Sequence, residues 1–260
     1  MGRPLAVITG ASSGIGLEFA RKLAPRYDLL LVARRKALLD SAAAELSSQS
    51  GSAVDVLEAD LADPAGVEVV ANRLAAEPKL ALLVNNAGFG TKGLFWETHF
   101  EAQERMHRLH VMATLRLCRA ALEPMVKRNA GAIINVASLS AFVRSSGSVS
   151  YAATKSWMTA FTEGLFLELK SARSSVRVQA LCPGFTSSGF HDVAAVRRDR
   201  LAPSSWWMTA AQVVDASLLA LHSGTLIVIP GWRYKAIAFL FSKAPTPLRL
   251  YLESSRPPRE

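Results

Sequence analysis

The chain has 260 residues, of which 50% are hydrophobic and 20% are charged, and this balance excludes a disordered, collagen-like or coiled-coil protein. Lysine and arginine outnumber aspartate and glutamate by 30 to 21, and the excess lies near the two ends of the chain. Because a nucleic-acid-binding protein usually concentrates its basic residues in one reading element, this distribution disfavours nucleic acid as a partner.

The cysteine content and the hydropathy pattern predict a protein of the cytoplasm. Cys118 and Cys182 are too few for a disulfide framework, which suggests a reducing compartment. No segment stays apolar for the roughly 18 residues that a membrane span needs. The N-terminal residues also lack the basic, apolar and cleavage regions of a secretory signal. We therefore expect a cytoplasmic location.

Short apolar runs alternate with stretches of helical spacing along the chain. The runs that predict strands are Leu5–Thr9, Leu29–Ala33, Ala53–Glu58, Leu80–Val84, Ala132–Val136, Val176–Leu181 and Leu226–Ile229. The stretches that predict helices are Ile15–Leu23, Lys36–Ser48, Pro64–Glu77, Glu97–Arg128, Tyr151–Ser171 and Thr209–His222. Since continuous apolar strands joined by helices are typical of a sheet covered on both faces, we predict a single α/β domain with a doubly wound parallel sheet of about seven strands.

A glycine turn, defined as Thr9 to Gly16, follows the first predicted strand and opens the first predicted helix. Its first glycine allows the tight turn, the second lets the backbone approach a pyrophosphate, and the third lets the helix pack on the strand. A helix N-terminus also favours phosphate through its N–H groups and its dipole. The turn therefore predicts a dinucleotide site formed by Gly10, Ser12, Ser13, Gly14, Ile15 and Gly16.

The same turn also satisfies the G-x-S-x-G pattern of a serine hydrolase, through Gly10, Ser12 and Gly14. Such an enzyme needs an oxyanion loop before the serine, whereas almost no chain precedes this turn. A hydrolase is therefore the less favoured interpretation.

Two arginines, Arg34 and Arg35, follow the second predicted strand. An NAD site usually carries an acidic residue at this point for the ribose hydroxyls. A carboxylate there would repel a 2′-phosphate, whereas a guanidinium binds it through paired, charge-assisted hydrogen bonds. We therefore predict a preference for NADP(H), with NAD(H) as the alternative cofactor.

Tyr151 and Lys155 are four residues apart at the start of a predicted helix, so their side chains share one face. Ser138 follows the strand that ends near Val136, at the carboxyl edge where open parallel sheets bind ligands. Together with the glycine turn, these residues predict a catalytic site at that edge.

In this combination of motifs the chain resembles the short-chain dehydrogenase/reductase family, over residues 5 to about 230. The matching positions, in family order, are the glycine turn, Asp60, Asn85-Asn86-Ala87-Gly88, Ser138, Tyr151-Ala152-Ala153-Thr154-Lys155 and Pro183-Gly184. The resemblance implies a Rossmann-like fold. It also implies the interconversion of an alcohol with a ketone or aldehyde by hydride transfer.

The resemblance assigns a role to each matching residue. Tyr151 would act as the general acid in reduction and as the general base in oxidation, while Lys155 lowers the pKa of that tyrosine and holds the nicotinamide ribose. Ser138 would hydrogen-bond the substrate oxygen. The resemblance also places Asp60 at the adenine, Asn86 to Gly88 near the adenine-side ribose and Thr186 at the carboxamide of the nicotinamide. The full set of other implied cofactor contacts is Asp60, Leu61, Asn86, Ala87, Gly88, Pro183, Gly184 and Thr186.

His110 departs from the family pattern, which usually has an asparagine at this position. In the family, a water molecule at that asparagine links the lysine to solvent as a proton relay. Histidine donates, accepts and titrates near neutral pH, so His110 could replace the relay or displace the water. We expect an active enzyme and include His110 among the catalytic residues. His107 and His110 also have metal-ligand spacing, but no further side chain completes a metal site, so we expect none.

Two regions outside the motifs concern the substrate and the partners. Residues 186–208 correspond to the substrate loop of the family, and aromatic residues there and at the sheet edge suggest an apolar carbonyl or alcohol. Residues 231–260 form a basic amphipathic extension to a catalytic domain over 1–230. The extension could lie on an anionic membrane, cover the pocket or pack on a partner subunit. Because prolines break it into short pieces, we favour packing over membrane binding. By family analogy, the helices at 97–128 and 151–171 would form a homodimer or homotetramer.

Three functions remain open from the sequence. The favoured one is an NADP(H)-dependent oxidoreductase that interconverts an alcohol and a carbonyl compound. The second is a nucleotide-binding protein of the same fold without catalytic activity, and His110 is its motivation. The third is a peripheral membrane or nucleic-acid binder, which the net charge of +9 motivates.

Overall fold

The computed structural model describes residues 2–187 and 203–254. The strands in these ranges are β1 (Leu5–Thr9), β2 (Asp28–Ala33), β3 (Val54–Glu58), β4 (Leu80–Asn85), β5 (Ala132–Val136), β6 (Arg177–Leu181), β7 (Thr186–Ser187), β8 (Met208–Thr209) and β9 (Ile227–Val228). The helices are α1 (Gly14–Leu23), α2 (Lys36–Ser50), α3 (Pro64–Ala75), α4 (Phe100–His107), α5 (Thr114–Arg128), α6 (Val149–Ser171), α7 (Ala210–His222), α8 (Trp232–Lys243) and α9 (Thr246–Ser254).

Most of the strands form one parallel sheet, in the order β3-β2-β1-β4-β5-β6-β9. Helices cover both faces of this sheet, so the predicted fold class is confirmed. Each predicted strand is present, and its ends differ from the predicted ends by one residue at most. β7 and β8 form a separate short parallel pair.

The central strands are apolar throughout because both of their faces are buried. In β1, Val7 belongs to the hydrophobic cluster beneath α3, α5 and α6. Its neighbours Ala6 and Ile8 belong to the cluster beneath α1, α2 and α7. Successive side chains of a strand point to opposite faces, so a strand between two helical layers needs an unbroken apolar run.

The strand order places a crevice at the carboxyl ends of β1 and β4. The chain winds outward from β1 through β2 to β3, and then continues with β4 on the other side of β1. The connections that leave β1 and β4 therefore run in opposite directions. Open α/β sheets bind their ligands at such a reversal point.

A buried polar contact fixes α6 against the sheet. Asn85 and Asn135 lie opposite each other on β4 and β5, and Asn85 Nδ2 donates to Asn135 Oδ1 at 2.9 Å. Asn135 Nδ2 donates in turn to Thr162 Oγ1 on α6, also at 2.9 Å. Because buried amides without partners are costly, these bonds hold α6, which carries the predicted catalytic pair, in a defined position.

The long helix predicted from Glu97 to Arg128 is present, but its hydrogen-bond pattern changes within it. It begins at Phe100 as α4, passes through a π-helical segment over Arg108–Ala113, and continues as α5. His110 lies inside this segment and is fully buried. The spacing of apolar residues does not signal this segment. Within it, the His110 ring contacts Phe89 and Thr154, which lie in distant parts of the chain.

The C-terminal segment folds as α8 and α9 and contacts the rest of the protein. The inner side of α8 buries Tyr234, Ala238 and Phe241. The Glu253 carboxylate of α9 accepts the backbone N–H of Arg144 at 2.8 Å. These contacts agree with the packing favoured from the sequence. The division into a domain over 1–230 and an extension over 231–260 stays a prediction.

Parts of two predicted regions lie outside the described residues. These parts are residues 188–202 of the substrate loop and residues 255–260 of the extension. Among the helices that the structure describes, none has both the length and the apolar character needed to cross a membrane.

Candidate active site

The glycine turn connects the carboxyl end of β1 directly to α1. Gly10 has a φ of +67°, and a Cβ added there would lie 2.8 Å from the Cα of Ala87. A Cβ on Gly16 would lie 2.4 Å from the carbonyl oxygen of Gly10. The turn therefore requires glycine at both positions. Since α1 begins at Gly14, its unpaired N–H groups lie at the turn and suit a phosphate, as the sequence predicts.

Hydrogen bonds from the end of β4 hold this turn in place. The Thr9 hydroxyl accepts the backbone N–H groups of Asn86 and Ala87 at 2.9 and 3.0 Å. The Asn86 side chain donates to the carbonyl oxygens of Thr9 and Gly10 at 2.9 and 3.3 Å. The Asn86 amide therefore joins two strand ends, and the exposed backbone of Gly88 lies just beyond it.

The two predicted phosphate-binding arginines lie beside the turn. Arg35 Nη2 donates to the hydroxyl groups of Ser12 and Ser13 at 3.0 and 3.1 Å. Arg34 is exposed directly after β2, and its charge acts on Asp60. Positive charge is therefore concentrated next to the glycine turn.

Asp60 is paired with a residue that the sequence did not single out. Its carboxylate accepts from Arg105 Nη2 on α4 at 2.7 Å and from the backbone N–H of Ala62 at 2.9 Å. Burial alone would raise the pKa of Asp60, but these donors and the nearby Arg34 hold it below its ordinary value. Leu61, which was predicted to contact the cofactor, is buried in the core. Arg105 therefore borders the predicted adenine site.

Tyr151 and Lys155 share one face of α6, as their spacing predicts. Lys155 Nζ lies 5.7 Å from the centre of the Tyr151 ring and donates to the carbonyl oxygen of Val136 at 2.8 Å. Lys155 is only 4% exposed, and this burial lowers the pKa of its ammonium group to about 8. The Tyr151 ring is partly exposed, so it can meet a substrate while Lys155 stays enclosed.

Ser138 follows β5 at the same edge of the sheet. Its hydroxyl oxygen accepts the backbone N–H of Ser140 at 3.1 Å. The N–H of Leu139 donates to the carbonyl oxygen of Pro183 at 2.9 Å, which joins the ends of β5 and β6. The Cys182 thiol is buried at this junction, and burial raises its pKa to about 12, so it stays protonated. The structure therefore brings Ser138 and Pro183 together.

His110 connects three segments of the site. The backbone N–H of Phe89 donates to its Nε2 at 3.3 Å, and its Nδ1 lies 2.9 Å from Thr154 Oγ1. Because the Thr154 hydroxyl donates to the carbonyl oxygen of Tyr151, it accepts from the Nδ1–H of His110. Both ring nitrogens are therefore engaged, and the contacts assign one neutral tautomer.

The two histidines of the long helical region lie in different environments. His107 is exposed, whereas His110 is fully buried. Burial, with smaller contributions from the charges of Lys155 and His107, lowers the pKa of His110 well below its ordinary value. Over residues 2–187 and 203–254, no three His, Cys, Asp or Glu side chains are placed to hold a metal ion.

The segment after β6 contacts the C-terminal helices. Thr186 is buried, and its hydroxyl donates to the carbonyl oxygen of Gly184 at 3.1 Å. The ring of Tyr234 from α8 lies against Gly184, since a Cβ added there would be 2.4 Å from it. The sequence did not connect Tyr234 with the site.

The carboxyl ends of neighbouring strands thus bring the predicted residues to one edge. The glycine turn follows β1, Gly88 follows β4, Ser138 follows β5 and Pro183 follows β6. A Cβ added to Gly88 would lie 2.8 Å from His110 Nε2 and 3.7 Å from Lys155 Nζ. The bare backbone at Gly88 and in the glycine turn fits an extended dinucleotide between the turn and the catalytic pair.

Comparison with known proteins gives a consistent match. The sequence profile described as short chain dehydrogenase matches residues 4–197. The 1,6-dihydroxycyclohexa-2,4-diene-1-carboxylate dehydrogenase of Pseudomonas putida is 34% identical over 223 residues, which are 82% of this chain and 77% of that protein.

Solved structures match nearly the whole chain. A short-chain dehydrogenase from Sphingobium yanoikuyae in complex with NADPH is 36% identical, with a TM-score of 0.84 over 94% of this chain and 97% of that one. The bulky-bulky ketone specific alcohol dehydrogenase from Comamonas testosteroni is 30% identical, with a TM-score of 0.79 over 95% of this chain and 96% of that one.

Proposed function

This chain belongs to the short-chain dehydrogenase/reductase family of oxidoreductases, and we propose that it interconverts an alcohol and a ketone or aldehyde with NADP(H). The observation that carries the proposal is the buried Lys155, whose Nζ lies 5.7 Å from the centre of the Tyr151 ring. This pair lies at the same edge of the sheet as the glycine turn. A proton donor and a dinucleotide site therefore meet at one place.

Tyr151 donates the proton to the substrate oxygen in reduction and removes it in oxidation. A free tyrosine has a pKa of about 10, so it needs a stabilising charge to exchange its proton near neutral pH. The ammonium group of Lys155 supplies that charge, and the Ser138 hydroxyl holds the substrate oxygen. A nicotinamide cofactor supplies the hydride when it is bound.

The chain offers a separate group of residues for each part of the cofactor. The N-terminus of α1 and the glycine turn bind the pyrophosphate, Arg34 and Arg35 bind the 2′-phosphate, and Asp60 borders the adenine. Asn86 to Gly88 lie near the adenine-side ribose, and Lys155 and Thr186 lie toward the nicotinamide end. The NADPH in the Sphingobium yanoikuyae structure supports this assignment, and NAD(H) remains the alternative cofactor.

The substrate that the site favours is an apolar carbonyl compound or alcohol. The rings of Phe185 and Trp207 lie 5.3 Å apart next to the segment after β6, and the Phe89 ring lies 6.3 Å from His110. These aromatic groups provide apolar walls at the catalytic edge. The ketone specificity named for the Comamonas testosteroni relative supports the same class of substrate.

The protein works as a homodimer or homotetramer, with a small molecule rather than nucleic acid or a membrane as its main partner. Large apolar side chains are exposed on the helices that the family uses for association. Leu115 on α5 is 42% exposed and Leu167 on α6 is 64% exposed. Burial of these side chains against a second subunit would stabilise the assembly.

The proposal is tested with purified protein, NADPH or NADH, and a series of ketones whose two substituents increase in size. We expect consumption of the reduced cofactor with apolar ketones and a higher kcat/KM with NADPH than with NADH. The fixed, neutral ring of His110 motivates the second candidate, a nucleotide-binding protein without catalysis. Tight NADPH binding with no turnover of any carbonyl compound would favour that candidate.

The kcat/KM for ketone reduction is expected to fall as the pH rises above about 8. Burial lowers the pKa of Lys155 to about 8, so its ammonium group loses its proton as the pH passes that value. The charge that stabilises the Tyr151 phenolate is then lost. The measurement is a pH profile of kcat/KM in wild-type protein and in Lys155→Arg, whose guanidinium stays charged to a pH above about 12. A wild-type profile that stays flat to about pH 10 would contradict the assigned role.

His110→Asn is expected to keep kcat within several-fold of the wild-type value while it lowers the free energy of unfolding by about 1–3 kcal/mol. The shorter side chain cannot reach both the Phe89 N–H and the Thr154 hydroxyl, so one of the two hydrogen bonds made by His110 is lost, whereas Tyr151 and Lys155 remain in place. Steady-state kinetics and thermal unfolding measure the two effects. The exposed His107 gives a matched control, His107→Asn, which should change neither. A large loss of kcat without loss of stability would instead show that His110 transfers a proton.

A further inference from the structure

Tyr234 lies outside the family motifs, yet it is buried beside the predicted nicotinamide end of the site. The residue is only 3% exposed. Its hydroxyl accepts the backbone N–H of Phe185 at 3.2 Å and donates to the carbonyl oxygen of Trp206. Burial raises the pKa of the Tyr234 phenol, so it remains a neutral donor.

The ring of Tyr234 supports the backbone at Gly184. A Cβ added to Gly184 would lie 2.4 to 2.5 Å from three atoms of the ring, so a larger residue would push the ring away. Only glycine lets the ring lie this close to the chain. The ring and the hydroxyl together fix two consecutive residues, Gly184 and Phe185.

The first turn of α8 also holds the segment that leads into β8. Arg233 Nη1 donates to the carbonyl oxygen of Ser205 at 3.0 Å. The carbonyl oxygen of Phe185 accepts the N–H of Met208 at 3.0 Å, and Thr186 pairs with Met208 in the short parallel pair. Side chains of α8 therefore bind both the segment after β6 and the segment before β8, and these two segments also bond to each other.

The contact between Tyr234 and Gly184 is linked to Ser138 by one further hydrogen bond. Pro183 precedes Gly184, and its carbonyl oxygen accepts the N–H of Leu139 at 2.9 Å. Leu139 follows Ser138 directly. The position of Gly184 is thus coupled both to Ser138 and to Thr186.

We propose that Tyr234 is a positioning residue of the active site, which holds Gly184 and Phe185 so that Thr186 lies where the nicotinamide half of the cofactor binds. The inference rests on the proposed NADP(H) function. It assigns the first turn of α8 to the machinery of the site, although this turn belongs to the segment that the sequence treats as an extension.

The test compares two ligands that share the adenine half. NADPH contains the nicotinamide, whereas 2′,5′-ADP contains only the adenine, its ribose and the phosphates on that ribose. Tyr234→Phe keeps the ring and removes both hydrogen bonds of the hydroxyl. We expect the affinity for NADPH to fall about 5- to 10-fold, as the loss of one or two hydrogen bonds predicts, with no change for 2′,5′-ADP. The KM for NADPH should rise more than kcat falls.

Two further variants complete the experiment. Tyr251→Phe makes the same change on an α9 tyrosine that is 70% exposed, and it should leave both affinities unchanged. Arg233→Ala removes the hydrogen bond of an exposed side chain to Ser205 and should lower the affinity for NADPH but not for 2′,5′-ADP. This variant tests the inference if Tyr234→Phe does not fold. Equal losses for both ligands, or full NADPH affinity in both α8 variants, would overturn the inference. Failure of the wild-type protein to bind NADPH would overturn the proposed function instead.

Discussion

Tyr151→Phe should reduce kcat for ketone reduction by about 100-fold or more. The substitution keeps the ring, which lies edge-on to the His110 ring at 5.8 Å, and removes the proton that the mechanism delivers to the substrate oxygen. A positioned general acid contributes about 10²- to 10⁴-fold to the rate, so this loss is the largest single effect that we expect. Steady-state kinetics with NADPH measure it, and the dissociation constant of NADPH should stay close to the wild-type value.

The matched control for this variant is Tyr27→Phe. Tyr27 is partly exposed just before β2, at the amino edge of the sheet and therefore away from the site. Its replacement should leave kcat unchanged. Wild-type turnover by Tyr151→Phe would remove the tyrosine from the mechanism. A parallel loss of NADPH binding would show that the hydroxyl has a structural role.

Arg35→Asp should weaken NADPH binding by about 10- to 100-fold and change NADH binding little. The Arg35 guanidinium already donates to the hydroxyl groups of Ser12 and Ser13, so it is held over the glycine turn. A 2′-phosphate at this point would gain charge-assisted hydrogen bonds from arginine, whereas an aspartate would repel it. Arg34→Asp should act in the same direction, and the double variant should prefer NADH. Titration of each variant with both cofactors measures the dissociation constants.

The control for charge alone is Arg26→Asp. Arg26 is exposed between α1 and β2, so its replacement changes the net charge by the same amount outside the site. It should affect NADPH and NADH equally and weakly. Equal losses for the two cofactors in Arg35→Asp would contradict the assignment of the 2′-phosphate.

The strands were predictable because each one is a short, continuous apolar run. β1 and β5 have the predicted bounds, Leu5–Thr9 and Ala132–Val136. Once the strands are parallel, their carboxyl ends lie at one edge, and the motifs that follow them must lie there too. The glycine turn, Gly88 and Ser138 could therefore be placed before any contact was known.

The residues that the sequence missed act through contacts between distant segments. Arg105 reaches Asp60 across 45 positions of the chain, and Tyr234 reaches Phe185 across 49. Local spacing carries no signal for such pairs. The motif predicted Asn86 as a cofactor contact, but it did not reveal that the Asn86 side-chain amide donates to the carbonyl oxygens of Thr9 and Gly10.

The π-helical segment Arg108–Ala113 sets the rotation of α4 about its axis relative to α5. A π-helical segment adds one residue to a turn, and each residue of an α-helix rotates the side-chain direction by about 100°. Without that residue, α4 would turn by this angle, and Gln103 would swing away from Ser150 while Met106 left the core. Insertions and deletions in relatives of this chain should therefore avoid the stretch and accumulate in the connecting loops, where a change of length alters no helical phase.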